Sequence, residues 1–252
     1  AIWIVCAAGI ALYLFGLIRF PHDSPLRKLS PVRIGFGSLA VLATIYLATG
    51  FRISERTNLY TSLKALSGYA PPVSYNFFRP DMEETDLDPA IKAKYSSFSK
   101  CANNLDCFKD YYEGIAYAKE TDKPVLLDFT GKACVNCRKT EEHIWVEDQV
   151  WKKINDDFVL ISLYADDKKK LDKVYKSKNT DKKLRNIGNK WSDFQIVNFN
   201  QNSQPLYVMM TAEEEVLAKP RGYDPDVNEY AEFLECGLNT FKAINQQQLG
   251  SK

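Results

Sequence analysis

Two cysteines, Cys134 and Cys137, are separated by two residues and follow a short apolar run, Val125 to Phe129. A pattern typical of a helix comes after them, so the thiols lie where a predicted buried strand gives way to a helix N-terminus. The unpaired N–H groups and the positive end of the helix dipole stabilise a thiolate there. We therefore predict a dithiol redox site, in which Cys134 is the nucleophile and Cys137 closes an intramolecular disulfide.

The composition separates an apolar N-terminal part from a charged remainder. The chain has 252 residues and a formal net charge of +1, a balance that gives no reason to expect a nucleic-acid partner. Residues 1–18 and 34–51 contain no charged side chain, and each run is close to the minimum length of a transmembrane helix. We predict a two-helix transmembrane hairpin over residues 1–51, at the end of a larger membrane domain. A signal peptide and a buried hairpin of a soluble core are the alternatives.

The loop between the two apolar runs indicates their orientation. It carries four basic residues and one acid, namely Arg19, Arg27, Lys28 and Arg33 against Asp23. By the positive-inside rule this loop is cytoplasmic, so everything after Phe51 lies outside the cytoplasm. Arg52 and Arg56, on the other side of the second run, weaken the asymmetry.

Residues 52–105 predict an extracytoplasmic connector. Pro71–Pro72 and Arg79–Pro80 are typical of an extended segment, and residues 59–66 fit a short helix at the membrane surface. Cys101 and Cys107 enclose a polar loop at its end. A local structural disulfide, two free thiols and a second exchange pair all remain open for them. A zinc site shared with the first cysteine pair is disfavoured by the spacing.

From residue 106 onward, patterns typical of helices alternate with patterns typical of buried strands. The helical patterns cover 108–119, the residues after Cys137 to about 146, 191–199 and the stretch after Asp224–Pro225, which contains Cys236 as a predicted buried, inert thiol. The strand patterns cover 125–129, 159–164, 206–210 and 216–218. This order predicts an α/β domain over 106–252 with a mixed sheet flanked by helices. The lysine-rich residues 165–188 are interleaved with acids, so we predict a solvated insertion there and not a basic binding patch.

The strand, dithiol and helix order, with Pro205 before a later strand, resembles the thioredoxin fold. More specifically, the stretch DFTGKACVNCRKTEEHIW, preceded by two predicted membrane spans, is similar to the C-terminal end of the thiol:disulfide interchange protein DsbD family. The resemblance covers nearly the whole chain. It implies a thioredoxin-like domain in the periplasm, attached to the last spans of an electron-carrying domain in the bacterial inner membrane.

The resemblance also implies roles for individual residues. Cys134 would be the attacking thiolate and Cys137 the resolving thiol. Asp128 matches the buried acid below the dithiol, and desolvation of its carboxyl group suits a proton acceptor for Cys137. Glu141 matches an acid that tunes the nucleophile. Pro205 matches the cis-proline beside the dithiol, where the preceding backbone can pair with a partner strand.

Two points of the resemblance stay open. Glu142 competes with Glu141 for the tuning role, and a solvated helix face fits either of them. Ala133 stands where many thioredoxins have tryptophan, which weakens the inference about the partner-binding surface and leaves the inference about thiol exchange unchanged.

Together these features predict a membrane-tethered protein-disulfide reductase. Electrons would pass from a membrane electron-transfer domain of the same protein, through the Cys134–Cys137 dithiol, to extracytoplasmic disulfide-bearing proteins. The sequence does not choose among the candidate partners, which are a smaller thioredoxin-like relay, a cytochrome-maturation factor and an outer-membrane partner. The expected surroundings are the lipid bilayer, without nucleic acid, metal or a separate cofactor. The alternatives are a disulfide oxidase or isomerase on the same fold and a non-catalytic thioredoxin-like binding module.

Overall fold

The computed structural model describes residues 1–23, 28–53, 63–68, 87–178 and 180–250. The chain divides into two compact units, residues 1–65 and residues 66–252. The proline-rich stretches of the predicted connector lie outside the described residues, as does most of the short helix predicted over 59–66. Of that helix, the structure describes a single 3₁₀ turn over Lys64–Leu66.

The first unit contains two apolar helices, α1 (Ile2–Leu14) and α2 (Pro31–Thr49). The Oγ of Ser30 caps α2 by accepting a hydrogen bond from the backbone N–H of Arg33, at 3.3 Å. The Arg33 guanidinium donates to the carbonyl oxygens of Leu14 at 3.1 Å and Tyr13 at 2.9 Å. These bonds satisfy carbonyl groups at the end of α1 and place the start of α2 beside them.

The helix α2 is long and apolar enough to cross a membrane, and α1, with 13 residues, is shorter. The predicted first span, 1–18, therefore ends early, at Leu14, just before Gly16, which adopts a left-handed φ of 76°. Large side chains of α2, including Phe36, Leu39 and Leu42, are more than half exposed. An apolar surface of this kind is typical of a membrane or protein interaction. The helix therefore has the properties of a membrane span or a signal sequence.

Within the described residues, the second unit is built on a five-stranded sheet. Its strands are β1 (Phe98–Lys100), β2 (Asp106–Phe108), β3 (Val125–Thr130), β4 (Val159–Tyr164) and β7 (Leu206–Met210). Their order in the sheet is β1-β2-β4-β3-β7. β3 runs parallel to β4 and antiparallel to β7, and β2 runs parallel to β4. The sheet is therefore mixed, as predicted.

Helices cover both faces of this sheet. They are α3 (Pro89–Lys94), α4 (Tyr111–Thr121), α5 (Val135–His143), α6 (Asp148–Lys152), α7 (Ile187–Phe199) and α8 (Val227–Gly250). Side chains of α4 and α7 pack with Val125, Leu127 and Phe129 on one face. On the other face, Leu126 packs with the residues that directly follow α5 and with side chains of α6 and α8. Because successive side chains of a strand point to opposite faces, Asp128 shares the second face with Leu126.

The sheet begins earlier in the chain than the sequence indicated. Residues 87–105, assigned above to the connector, include α3 and β1, and Phe98 of β1 lies opposite Phe108 of β2 in the core. β2 also takes Phe108, the first residue of the helix predicted over 108–119, and α4 begins at Tyr111 behind an Asp110 cap. Strands of three residues are too short to give a recognisable alternation.

The lysine-rich insertion is folded as a hairpin. Its strands β5 (Lys170–Lys176) and β6 (Lys183–Asn186) pair antiparallel in a separate sheet, and most of their side chains are exposed. The strand predicted over 216–218 is reduced to a single bridge between Val216 and Met210. The cap of α8 is Asp226, whose carboxylate accepts the N–H groups of Asn228 and Glu229.

Gly188, at the start of α7, lies against the backbone that follows β4. A Cβ at this position would be 2.5 Å from the carbonyl oxygen of Ala165 and 2.8 Å from the backbone nitrogen of Asp167. We expect Gly188→Ala to lower the free energy of unfolding by about 1–3 kcal/mol, because backbone atoms cannot rotate away as a side chain can. Urea unfolding of the full chain, followed by tryptophan fluorescence, measures this change.

Gly222→Ala is the matched control, since its Cβ would make only an ordinary contact of 3.6 Å with the carbonyl oxygen of Pro205. Equal unfolding midpoints for the two variants would contradict the expected clash at Gly188.

Candidate active site

The dithiol occupies the N-terminus of α5. Cys134 is the N-cap residue, and its Sγ accepts a hydrogen bond from the backbone N–H of Cys137 at 3.1 Å. The two cysteines form a disulfide with a Cα–Cα distance of 5.3 Å. Cys134 is half-buried, whereas Cys137 is only 1 % exposed. In the reduced protein, the same N–H group and the helix dipole favour a thiolate on Cys134, the sulfur that a partner can reach.

The loop before the dithiol is held by the segment that follows β4. The backbone N–H of Ala133 donates to Oδ2 of Asp166 at 2.8 Å, and Lys132 forms an ion pair with Asp167 at 3.6 Å. Gly131 allows this close approach, because a Cβ there would lie 3.1 Å from Oδ2 of Asp166. Sequence reasoning treated Asp166 and Asp167 as part of a solvated insertion, and no local pattern distinguished them.

Asp128 lies in the middle of β3 and is 2 % exposed. Its Oδ2 accepts a hydrogen bond from the Ser162 hydroxyl at 3.1 Å, and Oδ1 is buried without a hydrogen-bond partner among the described residues. Burial raises the pKa of Asp128 to about 7, although the Ser162 hydrogen bond and the charge of Arg138 oppose this rise. A carboxyl group with this pKa can both accept and release a proton near neutral pH.

Glu141 lies one turn beyond Cys137 and is also buried. Its Oε1 accepts a hydrogen bond from Nη2 of Arg138 at 2.5 Å. Burial raises the pKa of Glu141 to about 8, the charge of Arg138 opposes this rise, and Asp128 and Glu142 add to it. Glu142, the competing acid, is half-buried as a residue, and its Oε2 is buried without a hydrogen-bond partner among the described residues.

Pro205 is buried directly before β7, and the Gln204–Pro205 peptide bond is cis. The side chain of Gln204 reaches the loop that precedes the dithiol, since its Oε1 lies 3.3 Å from where a Cβ on Gly131 would be. The helix α5 therefore carries Cys134, Cys137 and Glu141, and β3 carries Asp128. Gln204, the residue before Pro205, lies beside the connection between these two elements.

Aromatic side chains close the buried side of this cluster. Tyr207 lies opposite Asp128 in the register of β3 and β7, and it packs edge-on against Tyr230 of α8. The indole N–H of Trp145 donates to the Tyr230 hydroxyl at 3.0 Å. Burial raises the pKa values of both tyrosines well above their usual range, so they remain neutral. Sequence reasoning missed Ser162 and Tyr207, although Ser162 is the one polar residue inside the apolar run of β4.

Cys101 and Cys107 also form a disulfide, with a Cα–Cα distance of 5.8 Å, and both are buried. The loop that they enclose contacts α5, because the Asn103 side-chain amide donates to the carbonyl oxygen of Glu141 at 2.7 Å. Cys236 is a free thiol and is exposed, so the prediction that it is buried was wrong.

A family model described as a thioredoxin-like domain matches residues 111–236, half of the chain. A solved structure named DsbH oxidoreductase has 18% identity and a TM-score of 0.39, with 64% of this chain and 97% of that chain covered. A thioredoxin from Thermus thermophilus has 14% identity and a TM-score of 0.37, with 50% and 81% covered.

A disulphide isomerase from Xylella fastidiosa Temecula1 has 16% identity and a TM-score of 0.31, with 53% of this chain and 87% of that chain covered. Comparison with curated proteins gives no match. The matched family model spans the dithiol, both buried carboxyl groups and the proline that leads β7. By this match, the chain belongs to the thioredoxin-like domain family.

Proposed function

We propose that this protein is a membrane-tethered protein-disulfide reductase, and that it corresponds to the C-terminal part of a protein of the DsbD family. The observation that carries the proposal is the Cys134–Cys137 disulfide at the N-terminus of α5, with one half-exposed and one buried sulfur. The apolar helix α2 supports the membrane attachment. The proposed location of the thioredoxin-like unit is the periplasm of a bacterium, where protein disulfides persist.

The reaction begins with the reduced dithiol. The Cys134 thiolate attacks one sulfur of a partner disulfide, forms a mixed disulfide and displaces the second partner sulfur as a thiolate, which takes up a proton. Cys137 then loses its proton to a buried carboxylate and attacks Sγ of Cys134. The mixed disulfide breaks, the partner leaves as a dithiol, and the electron pair of the Cys134–Cys137 dithiol has passed to the partner.

Each residue has a distinct task in this scheme. The half-exposed Cys134 meets the partner, and the buried Cys137 is shielded from it, so the order of attack follows from access. Asp128 and Glu141 supply the proton acceptor for Cys137, because their raised pKa values lie near neutral pH. A membrane electron-transfer domain of the same protein would then reduce the Cys134–Cys137 disulfide again, with no separate cofactor in this unit.

Cys137→Ser in the full chain is expected to trap the partner. The serine cannot attack Sγ of Cys134, so the mixed disulfide accumulates and survives denaturing electrophoresis without reductant. Mass spectrometry of the trapped species identifies the partner proteins. The double variant Cys134→Ser/Cys137→Ser is the matched control, and a partner trapped equally by it would contradict the proposal.

The reduction potential of the Cys134–Cys137 pair decides the direction of the reaction. A value close to that of thioredoxin, about −270 mV, supports a reductase, whereas a value near that of strongly oxidising proteins, about −120 mV, would favour an oxidase. Equilibration of the full chain with glutathione buffers, read by thiol alkylation, gives this potential.

A further inference from the structure

The guanidinium group of Arg138 is buried against Glu141 and against Thr130 of β3, the strand that carries the second acid of the candidate active site, Asp128. Arg138 follows Cys137 directly in α5 and is 4 % exposed, an unusual position for an arginine. Its Nη2 donates to Oε1 of Glu141 at 2.5 Å and lies 3.3 Å from Oγ1 of Thr130, two residues after Asp128 on the same face of β3. The side chain therefore crosses from the dithiol helix to the strand that carries Asp128.

The charges in this cluster do not balance if both acids are ionised. Asp128, Glu141 and the guanidinium together carry a net charge of −1 if both acids are ionised, in a region shielded from water, which costs several kcal/mol or more, whereas one carboxylate paired with the guanidinium leaves these three groups with no net charge. The titratable groups that face the cluster are Asp128 of β3, Tyr207 of β7, Tyr230 of α8 and Cys137, Glu141 and Glu142 of α5. The positive charge that acts on both Asp128 and Glu141 is Arg138.

We propose that Arg138 is a positioning residue for disulfide exchange, which keeps one of the two buried carboxyl groups ionised at neutral pH and so provides the proton acceptor for Cys137. This inference rests on the proposed function, because it concerns the step in which Cys137 resolves the mixed disulfide. Arg138 does not touch the reacting sulfurs. It holds Glu141 on the inner side of α5, and its charge acts on Asp128 from the same position.

The proton balance explains why the charge matters. When Cys137 attacks Sγ of Cys134, its S–H proton passes to a carboxylate, and a carboxyl group that is already protonated cannot receive it. Without the guanidinium, burial would leave both carboxyl groups protonated near neutral pH. Cys137 would then lack its acceptor, while the thiolate of Cys134, formed at the helix N-terminus, would be unaffected.

Arg138→Met tests this through the two phases of a single-turnover reaction. The reduced full chain, with the exposed Cys6 and Cys236 replaced by serine, is mixed with the chromogenic disulfide dithiobis(nitrobenzoate). The first release of nitrothiobenzoate reports the attack by Cys134, and the second reports the attack by Cys137. We expect the second phase to slow by about tenfold or more near pH 7, and its pH midpoint to rise by about one unit, since one pKa unit corresponds to a factor of ten. The first phase should stay unchanged.

Two variants separate charge from structure. Lys139→Met removes the neighbouring, half-buried charge of the same helix and should leave both phases unchanged. Arg138→Lys keeps a positive charge and should restore much of the second phase. Identical pH profiles for Arg138→Met and Lys139→Met would overturn the proposal. A wild-type chain with no second phase at all would instead refute the proposed function.

A direct measurement covers the case in which Arg138→Met does not fold. Infrared spectra of the oxidised wild-type chain, labelled with ¹³C at the carboxyl groups of Asp and Glu, count the protonated buried carboxyl groups through their C=O stretch. Asp128→Asn and Glu141→Gln assign the bands. One protonated and one ionised carboxyl group at pH 7 is the expected result, and two protonated groups would overturn the proposal.

Discussion

Cys134→Ser is expected to reduce disulfide exchange to the uncatalysed background. A thiolate at this position is the nucleophile of the first step, and a serine hydroxyl at the same N-cap remains protonated near neutral pH. Cys137 cannot replace it, because this thiol is buried and a partner disulfide does not reach it. Reduction of insulin disulfides by the prereduced full chain measures the loss.

Cys236→Ser is the matched control for this variant. Cys236 is an exposed free thiol far along the chain in α8, and its removal should leave the rate unchanged. Undiminished function of the Cys134→Ser protein would rule out redox chemistry at this site. The alternative would then be a binding module that uses the thioredoxin-like surface without exchanging thiols.

Asp128→Asn is expected to make the protein more stable at alkaline pH. The pKa of this buried acid is raised from 3.8 to about 7 in the folded chain. Between these values the unfolded chain loses the proton and the folded chain keeps it, so the free energy of unfolding falls as the pH rises through this window. Above about pH 7 the loss is complete. An asparagine does not titrate and therefore avoids it.

The size of this effect follows from the pKa difference. About three pKa units at 1.36 kcal/mol each give an upper value of about 4 kcal/mol, so we expect a gain of about 2–4 kcal/mol near pH 8 and little change near pH 4. Urea unfolding at a series of pH values measures it. Asp157→Asn, at an exposed acid after α6, is the control and should leave the curve unchanged. A pH dependence of Asp128→Asn that parallels the wild type would contradict the expectation.

The same substitution should impair catalysis, so that stability and activity change in opposite directions. An asparagine cannot accept the proton of Cys137, and the resolving step should therefore slow near neutral pH while the attack by Cys134 continues. A residue that costs stability and supports the reaction is a common property of active sites.

The fold class and the position of the dithiol could be predicted because their signals are local. A six-residue apolar strand, a Cys-x-x-Cys motif and a helical pattern occur consecutively, and each is recognisable within a few residues. Asp128 could be singled out because it matches the buried acid of the thioredoxin-like proteins that the sequence resembles, and its apolar neighbours Leu127 and Phe129 agree with a buried position. The structure places it on the face of the sheet that α5 covers.

The inward position of Arg138 could not be predicted from the sequence. The helix α5 reads VNCRKTEEH and has no apolar stripe, so its periodicity does not say which charged residues face the sheet. Arg138 contacts Thr130 of β3 and pairs with Glu141, so the inward position of both depends on tertiary packing. The hydrogen bond from the backbone N–H of Ala133 to Asp166 could not be predicted either, because it joins segments that are distant in the sequence.

Asn103 connects the loop closed by the Cys101–Cys107 disulfide to α5, the helix that carries the Cys134–Cys137 disulfide. Its backbone is left-handed, with φ at 57°, and lies within the loop that the Cys101–Cys107 bond closes. Its side-chain amide donates a hydrogen bond to the backbone carbonyl oxygen of Glu141 in α5. The indole N–H of Trp151 donates to the backbone carbonyl oxygen of the same asparagine at 3.0 Å. In the proposed reaction the Cys134–Cys137 bond opens in each turnover, whereas the Cys101–Cys107 bond stays closed and holds the loop that contacts α5. We therefore expect prolonged exposure to strong reductants to open the Cys101–Cys107 bond and to weaken the contact between Asn103 and α5.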